Sequence, residues 1–174
     1  MILTVKRRAD NLPNRKYESW CRRLLNMALS FIGLDMTGPT PFGTRFRVRY
    51  SEIDGQKIVF NSRYLEYGDV ALTEFWRWAN LADIGPDWLD AEFNVVRAVV
   101  DYRKSLRFDD MVEAWVRVER VGNSSMALRI DLCEADTQEL HASVEIVSVH
   151  VDLHARRSKP IPDNVRERLE TLKG

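Results

Sequence analysis

The chain has 174 residues, 45% of them hydrophobic, enough for one sizeable core, and no Pro/Gly/Ser-rich linker divides it. Its 26 basic residues balance 26 acidic ones, which removes any global electrostatic case for a nucleic-acid partner. No run reaches the roughly 18 apolar residues of a membrane span, the first residues lack a signal-peptide layout, and Cys21 and Cys133 sit far apart in apolar surroundings. A reducing cytoplasm therefore fits better than a disulfide framework.

Residues 1–40 are locally basic, with Lys6, Arg7, Arg8, Arg15, Lys16, Arg22 and Arg23, while Trp20, Leu24, Leu25, Ala28, Phe31 and Ile32 recur at helical spacing. This pattern predicts an N-terminal helical extension from about Arg15 to Ile32, stopped near Gly33 and followed by the turn-rich TGPTPFG. Such a helix either docks on the domain or a partner subunit, or lies on an anionic membrane surface. Residues 41–174 form the second unit. Arg45 to Glu52 alternates Phe46, Val48 and Tyr50 against Arg45, Arg47 and Arg49, a strand pattern. Asp54 follows in a short loop.

From Ser62 onward Tyr64, Ala71, Phe75, Trp78 and Ala82 fall on one helix face, with Leu65, Leu72 and Trp76 beside them. Only a narrow stripe, Glu66, Asp69, Thr73, Arg77 and Asn80, stays polar, so this helix is expected to be mostly enclosed. Asn61 or Ser62 is its candidate N-cap. After the loop ADIGPDW come four strand patterns: Phe93 to Leu106, Met111 to Val121, Ser125 to Glu134 and Leu140 to Leu153. Asp109 and Asp110, Gly122 and Asn123, and the ADTQE turn separate them. A short terminal helix, Asp163 to Leu172 with Asp163 as cap, closes the chain. One strand, a long helix and a four-stranded meander make an α+β chain, an antiparallel sheet with the helix on one face.

A five-stranded antiparallel sheet wrapped around a long central helix is the hotdog fold, and the run RVRYSEIDGQKIVFNSRYLEYGDVALTEFWR adds a resemblance. It is similar to the signature of the 4-hydroxybenzoyl-CoA thioesterase and YbgC-like acyl-CoA thioesterases. In that signature an aromatic residue ends the strand and an Asp follows it. A Gly stands three residues after the Asp, a His, Asn or Tyr seven after it, and an aromatic ten after it. Those places hold Tyr50, Asp54, Lys57, Asn61 and Tyr64. The similarity continues through FNVVRAVVDYRKSLRFDDMVEAW and VHVDLHARRSKPIPDNVRERL, covering about residues 44 to 172. Lys57 departs from the pattern, with Gly55 two places earlier; because Gly permits positive φ, the change bears on the shape of the loop.

The resemblance implies hydrolysis of an acyl-CoA thioester, with Asp54 as nucleophile or general base. Backbone N–H groups near Asn61 at the helix start would polarise the carbonyl, with the Asn61 side chain as a further donor. Tyr64 would be an acyl-pocket wall or a hydrogen-bond donor. Arg156, Arg157 and Lys159 would meet the CoA phosphates. No cofactor is implied, since CoA is part of the substrate, and a pocket between subunits implies a homodimer or homotetramer. Each residue also has a plainer role: Asp54 a turn residue, Tyr64 a core aromatic, the basic trio a solvated strand end. Glu66, Asp69 and Glu74 lie where another hotdog type keeps a helical carboxylate, or form a solvated stripe. His150 and His154 would stand about 13 Å apart along a strand, too far to share a metal. No GxSxG, Walker loop, GxGxxG or HExxH is present. The alternative to an enzyme is a non-catalytic hotdog protein that binds acyl thioesters or acts as a scaffold.

Overall fold

A computed structural model describes residues 42–173. The helix expected over Arg15 to Ile32 and the residue Cys21 lie outside them. Five main strands, β1 Phe42–Arg47, β2 Glu92–Tyr102, β3 Met111–Val121, β4 Ser125–Glu134 and β5 Leu140–Asp152, form one antiparallel sheet in the order β1-β3-β4-β5-β2. A two-residue strand, β6 (Arg157–Ser158), pairs with the end of β5. Helix α1, Arg63–Trp78, contacts β1, β2, β3 and β5. A four-residue helix α2, Pro86–Leu89, the terminal helix α3, Asp163–Glu170, and two short 3-10 helices, Tyr50–Glu52 and Leu81–Ile84, complete the elements.

Period-two patterning accounts for the sheet. Val112, Ala114, Val116 and Val118 of β3 are buried and stand opposite Glu134, Leu132, Ile130 and Leu128 of β4, so three consecutive pairs close the core with apolar side chains. Ala142, Val144 and Ile146 of β5 continue the layer. Onto it α1 presses Tyr64, Tyr67, Ala71, Leu72 and Phe75. Gly68 makes the approach close: a Cβ there would meet Val144 Cγ1 at 3.3 Å.

Two strands stop earlier than their alternation predicts. β1 ends at Arg47 because its partner β3 begins at Met111, directly opposite. Val48 makes one last pair of bonds, to Asp110 and Asp109, and Tyr50–Glu52 turns into a short 3-10 helix. β2 ends at Tyr102 because the N–H groups of Arg103 and Lys104 both converge on the His141 carbonyl, at 2.8 and 3.0 Å, beside the start of β5. The expected enclosure of α1 is also corrected. Leu65, Val70 and Trp78 are exposed along with Glu66, Asp69, Thr73 and Arg77, so only one face of the helix is buried. Asp163 is not the cap of α3, whose N-cap is Pro162. No helix among the described residues is long and apolar enough to cross a membrane.

Candidate active site

Residues Glu52 to Phe60 fold into a tight hairpin. Phe60 N–H donates to the Glu52 carbonyl, Ile53 bridges Val59, and Asp54 N–H donates to the Ile58 carbonyl at 2.9 Å. Asp54 opens the turn: Lys57 N–H returns to the Asp54 carbonyl at 3.0 Å, and Asp54 Oδ1 accepts from Gln56 N–H at 2.7 Å. Lys57, at the fourth place, has φ 63°. The residue standing where the resembling family has Gly thus adopts the left-handed conformation itself, and Gly55 is not among the residues with positive φ. With Oδ1 occupied by backbone, Asp54 Oδ2 has no partner among the described residues.

The hairpin leads straight into α1. Ser62 is the N-cap residue, but neither it nor Asn61 caps the helix through a side-chain hydrogen bond, a correction to the sequence-based expectation. Among the described residues the N–H groups of Asn61, Ser62 and Tyr64 have no hydrogen-bond partner. Free amides at the positive end of a 16-residue helix favour negative charge beside them. Tyr64 is buried. Its phenol oxygen accepts from Leu106 N–H at 3.1 Å, and burial pushes its pKa up, the Leu106 bond opposing. The core-aromatic role therefore holds together with a place in the site wall.

Asp54, Asn61 and Tyr64 line one cleft of about 540 Å³, together with Tyr102, Arg103, Lys104 and Ser105 from the end of β2. Sequence reasoning missed this second wall, although the abrupt polar run Arg103-Lys104-Ser105 at the end of an apolar strand was a signal for it. Lys104 is engaged by Glu139 in an ion pair. Arg156, Arg157 and Lys159 are not in this cleft. Arg156, with φ 52°, and Arg157 line a separate one of about 310 Å³ with Asn94, and half-buried Lys159 lies outside it. Asn94 and Tyr102 stand eight residues apart on β2, a span of about 26 Å at ordinary strand rise. Glu66 and Glu74 pair with Arg63 and Arg77 on the exposed side of α1, which fits the solvated stripe. His150 packs against Phe93 with Nδ1 2.8 Å from the Pro160 carbonyl. Among the described residues no three His, Cys, Asp or Glu side chains could hold a metal.

A curled antiparallel sheet with a helix across it, and a carboxylate beside that helix's amino end, define the class of hotdog thioesterases. The chain belongs to the thioesterase-like superfamily, whose model matches residues 48–169. It is 26% identical over 134 residues to the long-chain acyl-CoA thioesterase FadM of Escherichia coli (strain K12), spanning 74% of this chain and 97% of that one. A solved hypothetical protein from Aquifex aeolicus is 27% identical with a TM-score of 0.65, covering 76% of this chain and all of the other (100%). A predicted thioesterase from Bacillus stearothermophilus, 23% identical, superposes with a TM-score of 0.67 over 78% of this chain and 98% of its own. The chain is accordingly an enzyme of the thioester hydrolase class, as its sequence led us to expect.

Proposed function

We propose that this protein hydrolyses acyl-CoA thioesters to the free acid and CoA, with residues 41–174 as the thioesterase domain and 1–40 as an extension. One observation carries the proposal: Asp54, Asn61 and Tyr64 share a single cleft at the amino end of α1. Asp54 acts through Oδ2, either attacking the thioester carbonyl or taking a proton from the water that attacks it. A new C–O bond forms to the thioester carbonyl and the C–S bond breaks, the thiolate of CoA leaving and taking up a proton. Where Asp54 is the attacking group, water then hydrolyses the acyl-Asp anhydride, releasing the free acid and restoring the carboxylate. Negative charge developing on the carbonyl oxygen meets the free amides at the start of α1. Tyr64 walls the acyl end.

Dimerisation completes the site in this reading. β2 is an edge strand of 11 residues whose Val95 and Val96 are 60% and 61% exposed, an unprotected edge of the kind that pairs with another chain. Antiparallel pairing of β2 with its counterpart, two-fold about Ala98, sets Asn94 of the partner subunit beside Tyr102. Arg156 of the partner subunit and Arg157 of the partner subunit would then approach the CoA entering this cleft, which accounts for their separation from Asp54 within one chain. In this reading no cofactor enters the chemistry, and the enzyme works in the cytoplasm. Lys57 adopts the left-handed φ that the Gly of the resembling signature would supply, which supports the catalytic reading over a non-catalytic binding protein.

Thiol release from a panel of aliphatic and aromatic acyl-CoAs tests the proposal. The parent protein is expected to turn over at least one member, and Asp54→Asn to lose at least about a hundred-fold in kcat with its thermal midpoint retained. Saturable binding of acyl-CoA without hydrolysis by the parent would establish the non-catalytic alternative instead.

A further inference from the structure

Asn61 lies one residue before the N-cap Ser62, so its carbonyl stands outside the hydrogen-bond ladder of α1. Leu65 N–H closes on the Ser62 carbonyl at 3.2 Å, and the Asn61 carbonyl accepts the phenol O–H of Tyr102 at 2.9 Å. Tyr102 lies 41 residues away in sequence, at the last position of edge strand β2, and lines the Asp54 cleft. Its ring stands edge-on to Tyr64, centroids 5.1 Å apart and planes at 86°. Tyr64 is held in turn by Leu106 N–H.

The Asn61 carbonyl and the Ser62 N–H belong to one planar trans peptide, so they point in opposite directions and fixing one fixes the other. Ser62 N–H is among the amides at the start of α1 that have no partner among the described residues. We infer that Tyr102 is a positioning residue of the thioesterase reaction: its hydroxyl holds the Asn61 carbonyl and so keeps the start of α1, with the amides that have no partner among the described residues, in place beside the Asp54 cleft. The inference rests on the proposed hydrolysis of acyl-CoA. Tyr102 acts through the peptide and touches no reacting atom. A side chain 53% exposed gains little stability from one solvent-facing hydrogen bond, so structure alone gives this tyrosine small reason to hold that carbonyl.

Tyr102→Phe keeps the ring and its contact with Tyr64 and removes only the hydroxyl. The expected result is a kcat lowered about ten-fold, less than the loss of a whole oxyanion donor, with KM and thermal midpoint unchanged. The Asn61 carbonyl carbon-13 resonance should also move in the free protein, a readout independent of turnover. Parent protein and Asp54→Asn are assayed alongside. An active parent, an inactive Asp54→Asn and a Tyr102→Phe with parental kcat would overturn the positioning role and leave the proposed function standing. So would an unmoved Asn61 resonance, or a loss confined to KM, which would make Tyr102 a binding wall. A parent that releases no thiol from any acyl-CoA sinks the proposed function, and the catalytic purpose of the clamp with it.

Discussion

The phenol O–H of Tyr67 donates to Glu52 Oε2 at 2.7 Å and ties the second turn of α1 to the base of the Asp54 hairpin. The same carboxylate oxygen accepts Arg49 N–H, also at 2.7 Å, so one acidic side chain fastens both the strand end and the helix. Tyr67 is buried at 4% exposure, and in Tyr67→Phe no water easily replaces its hydroxyl. The variant should lose about 1–2 kcal/mol, the usual cost of stripping a donor from a partly buried acceptor. Urea denaturation measures it, and an unchanged midpoint would show that Glu52 finds another donor.

Lys57 carries a backbone penalty that a glycine would not. A left-handed φ costs a residue with Cβ roughly 1–2 kcal/mol, while glycine gives back about 0.5–1 kcal/mol in unfolded-chain entropy. The strain relief is the larger, so Lys57→Gly should stabilise the fold by about 0.5–1 kcal/mol with kcat unaltered. Lys57→Val, β-branched at positive φ, should destabilise it. Paired chemical denaturation curves of the two variants provide the check.

Alkaline stability should fall with pH in a defined window. Burial pushes the Cys133 thiol from 9.0 to about 11, with the charges of Asp131 and Glu113 adding to it. Burial, followed by the bond to Glu52, raises the Tyr67 phenol above its ordinary 10.0. Both groups stay protonated in the folded chain at pH values where the unfolded chain has released the proton. Their contribution is therefore complete below pH 9 and declines as pH rises past 9 for Cys133 and past 10 for Tyr67. Thermal midpoints from pH 8 to 11 should drop, and Cys133→Ala should flatten the first part of that drop.

Ala98 stands near the middle of β2, exposed on the free edge, opposite Ile146 of β5. In the proposed two-fold pairing it faces its own counterpart, so Ala98→Asp sets two carboxylates side by side across the new ladder, an unfavourable cross-strand pair. Light scattering after size exclusion should find the parent dimeric or larger and the variant monomeric. A parent that is itself monomeric would remove the pairing.

The legibility of this chain followed the range of the forces involved. The ends of β3 and β4 could be read to the residue because alternation between core and solvent is written in the side chains of the strand itself. The spacing of Asp54, Asn61 and Tyr64 was equally local: all three fall within one hairpin and the helix turn that follows, and all three line one cleft. Leu65 and Trp78 misled because an apolar residue need not be buried, and here the sheet covers only one side of α1.

By itself, then, the sequence determined the element types, the helix face carrying Tyr64, Ala71 and Phe75, and the carboxylate placed before the helix. Tertiary structure alone decided where strands stop, since Arg47 ends its ladder where β3 begins and Tyr102 ends its own where the next two N–H groups converge on the His141 carbonyl. It also decided that Tyr102 to Ser105 form the far wall of the Asp54 cleft, and that Arg156 and Arg157 lie along β2 from it. Periodicity records what one segment does with water. Which segments then stand side by side is set by the pairing of strands tens of residues apart, and no single segment encodes that.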